Sequence, residues 1–321
     1  MDYRILGRTG ARVSTICLGA MMFGDAADEP ESHRILDEAR AAGVNFVDTS
    51  NNYAKQASET CIGRWFAQGG GRREETFLAT KVYRTVAPGP NGGGNHRYTV
   101  LQRVEESLSR LQTDRIDLYY FHRPDPQTPL EEQIGVMQDL VRAGKVRYYG
   151  TSHYPSWMVV QGIGHASRLG GPPWAADQPS YSLIERDIEQ EVVPMAIDTG
   201  YGLVPHSPLG GGLLTGKYKR GEPPPAGTRG AQRDQFLDRM SDDHWTLVDR
   251  LTAYAGELGC TPAQLAIAWV LARPGITASI IGPRSAAQLR DNLGAAAVVV
   301  PPAAMKDLTA ASDCALRLGS G

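Results

Sequence analysis

From Ile16 onward, short apolar runs alternate eight times with amphipathic stretches, and no other feature of the chain narrows its fold as much. The runs Ile16–Gly19, Asn45–Asp48, Thr76–Lys81, Ile116–His122, Val146–Ser152, Ala175–Pro179, Gly202–His206 and Ile276–Ile281 read as buried strands. Between them, apolar residues recur at helical spacing. Ile35, Leu36, Ala39 and Ala42 predict a helix over Glu31–Ala42, with Gly43 as its stop; Val100, Val104, Leu108 and Leu111 predict another over Thr99–Leu111. Further helices are predicted over Ser58–Phe66, Leu130–Ala143, Ser156–Leu169, Ile188–Asp198, Asp242–Leu258, Pro262–Ala272 and Ser285–Leu293, and a last one near Pro302–Leu316. Ahead of the alternation, Tyr3–Leu6, a Gly-Arg-Thr-Gly turn and Ala11–Ser14 predict a hairpin. Strands separated by helices run parallel. Eight such units with no dividing linker predict one domain, 1–321, of α/β class: a (β/α)8 TIM barrel with an N-terminal β-hairpin and extra C-terminal helices. An open dinucleotide-binding sheet would carry G-x-G-x-x-G after its first strand, and Gly19-Ala-Met-Met-Phe-Gly24 lacks it.

Several functions are disfavoured at once. With 33 basic and 35 acidic residues the net charge is −2, which leaves no electrostatic footprint for nucleic acid or an anionic membrane. No apolar window is long enough to span a bilayer, and the start shows no leader pattern. Cys17, Cys61, Cys260 and Cys314 are scattered, so neither disulfides nor a zinc site is expected, and a reducing cytoplasm fits. Gly211–Tyr218 approaches a phosphate-loop pattern, but Tyr218 cannot supply the small hydroxyl such a loop needs for magnesium. No metal is expected.

Barrel enzymes work at the C-terminal ends of their strands. There the chain places Asp48, Lys81 and His122 after successive strands, with Tyr53 in the loop following Asp48. Each alone has an ordinary reading as a cap, a surface charge or packing. Together they suit carbonyl reduction. Negative charge grows on the carbonyl oxygen, a phenol can protonate it, and a nearby ammonium lowers the phenol pKa. An Asp keeps that ammonium oriented, and an imidazole can hold the oxygen. No side chain supplies hydride, so a nicotinamide cofactor is implied.

The chain resembles the aldo-keto reductases along nearly its whole length. Asn45-Phe-Val-Asp-Thr-Ser50 with Tyr53 looks like the family's Asp–Tyr signature, Ala79-Thr-Lys81 like its Lys strand, and Ser107–His122 like the segment leading to its His. The resemblance implies an NADPH/NADP+-dependent oxidoreductase reducing an aldehyde or ketone. In it Tyr53 is the general acid, Lys81 tunes it, Asp48 pairs with Lys81 and His122 positions the carbonyl. It also implies cofactor contacts at Gly19, Met21 and Asp48; at Ser152, His153 and Gln178, around the carboxamide; and at His206, against the nicotinamide. Ser207, Pro208, Leu209, Gly210, Gly212 and Lys217 would surround the pyrophosphate, and Gly282, Arg284, Gln288 and Asn292 the adenosine end. Glycines at 210–212 let backbone N–H groups approach phosphate, and Arg284 at a helix start suits a 2′-phosphate, favouring NADPH. The family commonly has Asn where this chain has His153, and a large aromatic where it has His206.

The expected partner is a small carbonyl substrate, with self-association left open. Phe23, Tyr53, Tyr83 and His122 are its expected contacts, and Met21, Met22 and Trp157 are further candidates for an apolar wall. Arg84, Arg97 and Arg123 near the mouth could meet a phosphate or stand as solvated charges. Two other functions share these motifs: a nucleotide-sugar keto/enoyl reductase of deoxysugar metabolism, and a non-enzymatic NADP-binding regulatory subunit.

Overall fold

The computed structural model of the chain describes residues 1–233 and 236–317. The expected hairpin is present as β1 (Tyr3–Ile5) paired antiparallel with β2 (Arg12–Ser14). Eight parallel strands follow: β3 (Ile16–Gly19), β4 (Phe46–Asp48), β5 (Phe77–Val82), β6 (Ile116–Phe121), β7 (Val146–Thr151), β8 (Ala176–Asp177), β9 (Gly202–Leu203) and β10 (Ser279–Ile281). The sheet runs β10-β3-β4-β5-β6-β7-β8-β9. Its two ends meet: Thr277 N donates to Leu203 O at 2.8 Å and Ile280 N to Pro205 O at 2.8 Å. The parallel sheet thus closes on itself, with helices around it, as the alternation predicts.

Local chemistry sets the boundaries. The first helix starts at Glu29, two residues before the expected start at Glu31, because Asp28 accepts from Glu31 N at 2.9 Å and Pro30 suits the first turn. The helix expected over Ile188–Asp198 is divided into a 3-10 turn, Asp187–Glu189, and a helix, Val192–Thr199. Pro194 explains this: its ring is tolerated only in a first turn. The strand expected over Ala175–Pro179 is shorter, since Pro179 has no N–H for a ladder. The expected strand Gly202–His206 also shortens to β9, and Ile276–Ile281 to β10, with Ile276 making only a bridge to Leu203.

A strand period of two puts alternate residues inside the barrel. Cys17, Phe46, Ala79, Leu118, Tyr120, Ala176, Val204, Ala278 and Ile280 form that inner cluster. Leu6 and Val13 of the hairpin join it and close the N-terminal end. Burying each contributes roughly 1.5–3 kcal/mol. Stepping two residues up from the apolar layer gives Asp48 after Phe46, Lys81 after Ala79, His122 after Tyr120, Gln178 after Ala176 and His206 after Val204. The parity that fills the barrel therefore also aims these polar side chains at its open end. Gly150 leaves room for this packing: a Cβ there would lie 2.9 Å from the Tyr120 ring and 2.3 Å from Ala176 O.

Cys17 and Cys61 are buried free thiols and Cys260 is partly buried and free; the Cys314 side chain lies outside the described residues. Among the described residues no helix is long and apolar enough to cross a membrane, and no three His, Cys, Asp or Glu side chains gather to hold a metal.

Candidate active site

Asp48, Lys81 and Tyr53 form a connected chain at the C-terminal end of the barrel. Lys81 Nζ donates to Asp48 Oδ1 at 2.5 Å, to Thr49 O at 2.8 Å and to Tyr53 Oη at 3.2 Å. Lys81 has no exposed surface, so its charge depends wholly on these partners. Gln178 Nε2 donates to Asp48 Oδ2 at 2.8 Å, which fixes the carboxylate from the other side. His122 stands edge-on to the Tyr53 ring, with centroids 5.7 Å apart. Its Nδ1 lies 3.2 Å from Ser50 Oγ, which is also 2.7 Å from Asn52 Oδ1. Ser50 and Asn52 were not singled out in the sequence; the polar run Ser50-Asn-Asn-Tyr53 directly after a buried strand was the available signal.

Burial and charge pull the ionisable groups in opposite directions. Burial pushes the Tyr53 phenol above its ordinary pKa, and the Lys81 ammonium pulls it back without fully offsetting this. The sequence expectation of a lowered phenol is thereby corrected: in this pocket desolvation outweighs the cation. Burial lowers the Lys81 ammonium, but Asp48 and Tyr53 more than offset this and hold it above its ordinary value. Burial, then the charges of Lys81, Arg84 and Arg123, push His122 down to about 2. Burial likewise pushes His153 down to about 4 and His206 to about 3. All three imidazoles are neutral at neutral pH.

His153 and His206 touch through their Nε2 atoms at 2.9 Å, and His206 Nδ1 lies 2.9 Å from Ser207 Oγ. Two neutral rings meeting at Nε2 need one N–H and one lone pair, so the pair holds opposite tautomers. Ser152 is buried, and its Oγ donates to Gln178 O at 2.8 Å. Six of the seven described non-glycine residues with positive φ belong to mouth loops: Ala54, Lys55, Gln56, Tyr83, His153 and Ser207. Such conformations cost of order 1–3 kcal/mol each and collect at functional sites.

The glycine loop has the form of an anion cradle. Gly210, Gly211 and Gly212 have φ of 55°, 71° and 105°. Lys217 Nζ lies 2.9 Å from where a Gly212 Cβ would be, and the Gly212 φ of 105° is one that residues with a side chain rarely adopt. Pro208 is buried behind the loop and Leu209 packs on the core. Farther round, Arg284 N donates to Gln288 Oε1 at 3.0 Å and its Nη2 to Gly227 O at 2.9 Å. Asn292 is buried nearby in sequence, and a Cβ on Gly282 would meet open space. On the opposite side, Gly19 is enclosed, since a Cβ there would lie 2.7 Å from Ile280 Cγ2, whereas Met21 is exposed.

Two expectations for the substrate side are corrected. Phe23 cannot line a substrate wall: it is fully buried in the cluster between sheet and helices, with Ala27 and Ile35. Arg97 is not available to a phosphate, because its Nη1 donates to Asp139 Oδ2 at 2.5 Å. Tyr83 and Arg84 do face a cleft of about 1340 Å³ that also includes Asn52 and Lys55 in its wall. Trp157 is exposed on the first turn of the helix Ser156–Arg168.

Comparison with known proteins agrees with this geometry. The model of the Aldo/keto reductase family matches residues 15–313. An uncharacterized oxidoreductase, YrpG, of Bacillus subtilis strain 168 is 44% identical over 304 residues, covering 92% of this chain and 91% of its own. A probable voltage-gated potassium channel subunit beta of Arabidopsis thaliana is 36% identical over 303 residues, covering 93% and 92%. A putative subunit of the same kind from Schizosaccharomyces pombe is 32% identical over 304 residues, covering 92% and 88%.

Proposed function

Because this chain belongs to the aldo/keto reductase family, we propose that it is an NADPH-dependent oxidoreductase that reduces an aldehyde or ketone to the alcohol. The observation that carries this reading is the buried Asp48–Lys81–Tyr53 chain with a neutral His122 beside it. When bound, the reduced nicotinamide supplies the hydride that no side chain can. The residues around the barrel mouth fit such a cofactor. The left-handed glycines at 210–212 and Lys217 make an anion cradle for a pyrophosphate. Ser152, His153 and Gln178 would hold the carboxamide, with His206 against the nicotinamide. Gly282, Arg284, Gln288 and Asn292 would meet the adenosine end, where Arg284 favours a 2′-phosphate.

Tyr53 Oη gives its proton to the carbonyl oxygen. Lys81, kept charged by Asp48, stabilises the phenolate left behind. Gln178 holds Asp48 in place for that task. His122 steadies the same oxygen through Nε2–H, which requires Nδ1 to be the acceptor. Ser50 has one hydroxyl hydrogen for two neighbours, so donation to His122 Nδ1 means turning it away from Asn52.

The test is NADPH consumption with a panel of aldehydes and ketones. Tyr53→Phe keeps the ring and removes the proton. It is expected to lower turnover at least ~10²-fold while NADPH affinity stays near wild type. A variant that reduces aldehydes at the wild-type rate removes Tyr53 as the acid. A second reading, a cofactor-binding regulatory subunit, is favoured by the likeness to the potassium channel beta subunits. Tight NADPH binding with no turnover across the panel would select it.

A further inference from the structure

Arg84 and Arg123 lie in the segments directly after β5 and β6, the strands that end near Lys81 and His122. Neither guanidinium has a hydrogen-bond or ion-pair partner among the described residues. Arg123 is half-buried and Arg84 is exposed; other buried or half-buried arginines are matched: Arg73 to Asp117, Arg110 to Glu59 and Arg186 to Glu189. The two charges act on each other and on His122, and Arg123 also acts on Tyr53. Arg123 directly follows His122 in the chain, and Arg84 stands in the wall of the cleft with Asn52 and Lys55, the neighbours of Tyr53 in its loop.

The cleft beside Tyr53 offers no relief. The carboxylates in its wall are Asp125 and Glu132. Asp125 already accepts from Asn95 N at 2.9 Å and Thr128 Oγ1 at 2.8 Å, and Glu132 from Arg97 N at 2.8 Å. Lys55 shares that wall with Arg84. A guanidinium offers a planar fork of donors that matches a carboxylate or phosphate. An anion drawn into the cleft would meet the Arg84 fork at the wall and lie in the field of the half-buried Arg123 beside it.

We propose that Arg84 and Arg123 form an anion subsite beside Tyr53, and that the substrate is a carbonyl compound bearing a carboxylate or phosphate group. This rests on the reductase reading above. It assigns the end of the substrate remote from the carbonyl and so deepens that reading.

The test compares matched substrates with NADPH: butanal against 4-oxobutanoate, and glycolaldehyde against glycolaldehyde phosphate. The wild type is expected to prefer the anionic member of at least one pair by tenfold or more in kcat/KM. The pair that shows it tells carboxylate from phosphate. In the double variant Arg84→Gln/Arg123→Gln that ratio falls at least tenfold, mostly through KM, and in the wild type it declines as salt is raised. Equal use of both members by the wild type, or a preference kept by the double variant, overturns the subsite and leaves the reductase reading intact. If no aldehyde is turned over, the reductase reading fails by itself. Thermal denaturation in inorganic phosphate with NADP+ present then decides the subsite. A stabilisation lost in the double variant supports it, and an equal shift in both proteins removes it.

Discussion

The Lys81 ammonium is fully buried and its charge is matched by one carboxylate, so Asp48 is as much a stability residue as a site residue. Asp48→Asn leaves a buried cation unpaired, and a loss of about 3–5 kcal/mol is expected in chemical denaturation. Asp177 makes the contrary case. It is buried, Thr151 Oγ1 donates to its Oδ1 at 2.7 Å, and its Oδ2 has no partner. Burial pushes its pKa up to about 7, with Thr151 opposing. The folded state thus holds the proton more tightly than the unfolded chain does. Its stabilising contribution is complete below the ordinary carboxylate pKa and is lost as pH rises through about 7. Asp177→Asn should therefore melt a few degrees above wild type beyond pH 7, with the difference closing towards pH 4. The site imidazoles, at about 2, 3 and 4, predict no histidine limb in kcat/KM between about pH 5 and 8. At this scale the sequence was readable where a residue type was unusual for its place. Asp48, Lys81 and His122 stood out as polar ends of apolar strands. Phe23 did not reveal its direction, because an aromatic at a loop reads the same whether it faces a substrate or a core.

Each element carries its site residue by parity. A strand that presents Phe46, Ala79 or Tyr120 to the barrel interior must present Asp48, Lys81 or His122 one step higher. Gly150→Ala would force a methyl to within 2.3 Å of Ala176 O and against the Tyr120 ring. Since β7 and β8 would have to move apart, a loss of roughly 1–3 kcal/mol is expected, with kcat falling as Gln178 at the end of β8 moves away from Asp48; calorimetry and initial rates read the two effects. Strand and helix order was legible because apolar periodicity is local information. The division of the helix after β8 was legible only through Pro194. The left-handed run Ala54-Lys55-Gln56 was not legible at all, since none of these residues asks for positive φ. Its geometry is imposed by the loop that carries Tyr53.

For the molecule as a whole, overall charge proved a poor guide to local field. A chain of net charge −2 carries Lys81, Arg84 and Arg123 around one mouth and Lys217 above the glycine loop. Composition averages over both faces of the barrel and cannot separate them. The hairpin was legible as a hairpin, but its task as the floor of the barrel was not, because Leu6 and Val13 meet strands far away in sequence. Removing residues 1–14 should expose that inner cluster to water and lower the melting midpoint, as scanning calorimetry with a hydrophobic dye would register.

The join between β3 and β10 has a consequence for biosynthesis. Ile16 pairs with Ser279, so the first barrel strand finds one of its two neighbours more than 250 residues later in the chain. At about 5–20 residues per second, the ribosome takes roughly 13–50 s to bring that neighbour out. Throughout that interval β3 has an open edge, as does whichever strand emerged last, and either can recruit a foreign strand. Chaperone demand for this chain should therefore depend less on its final stability than on how fast the stretch between β3 and β10 is translated.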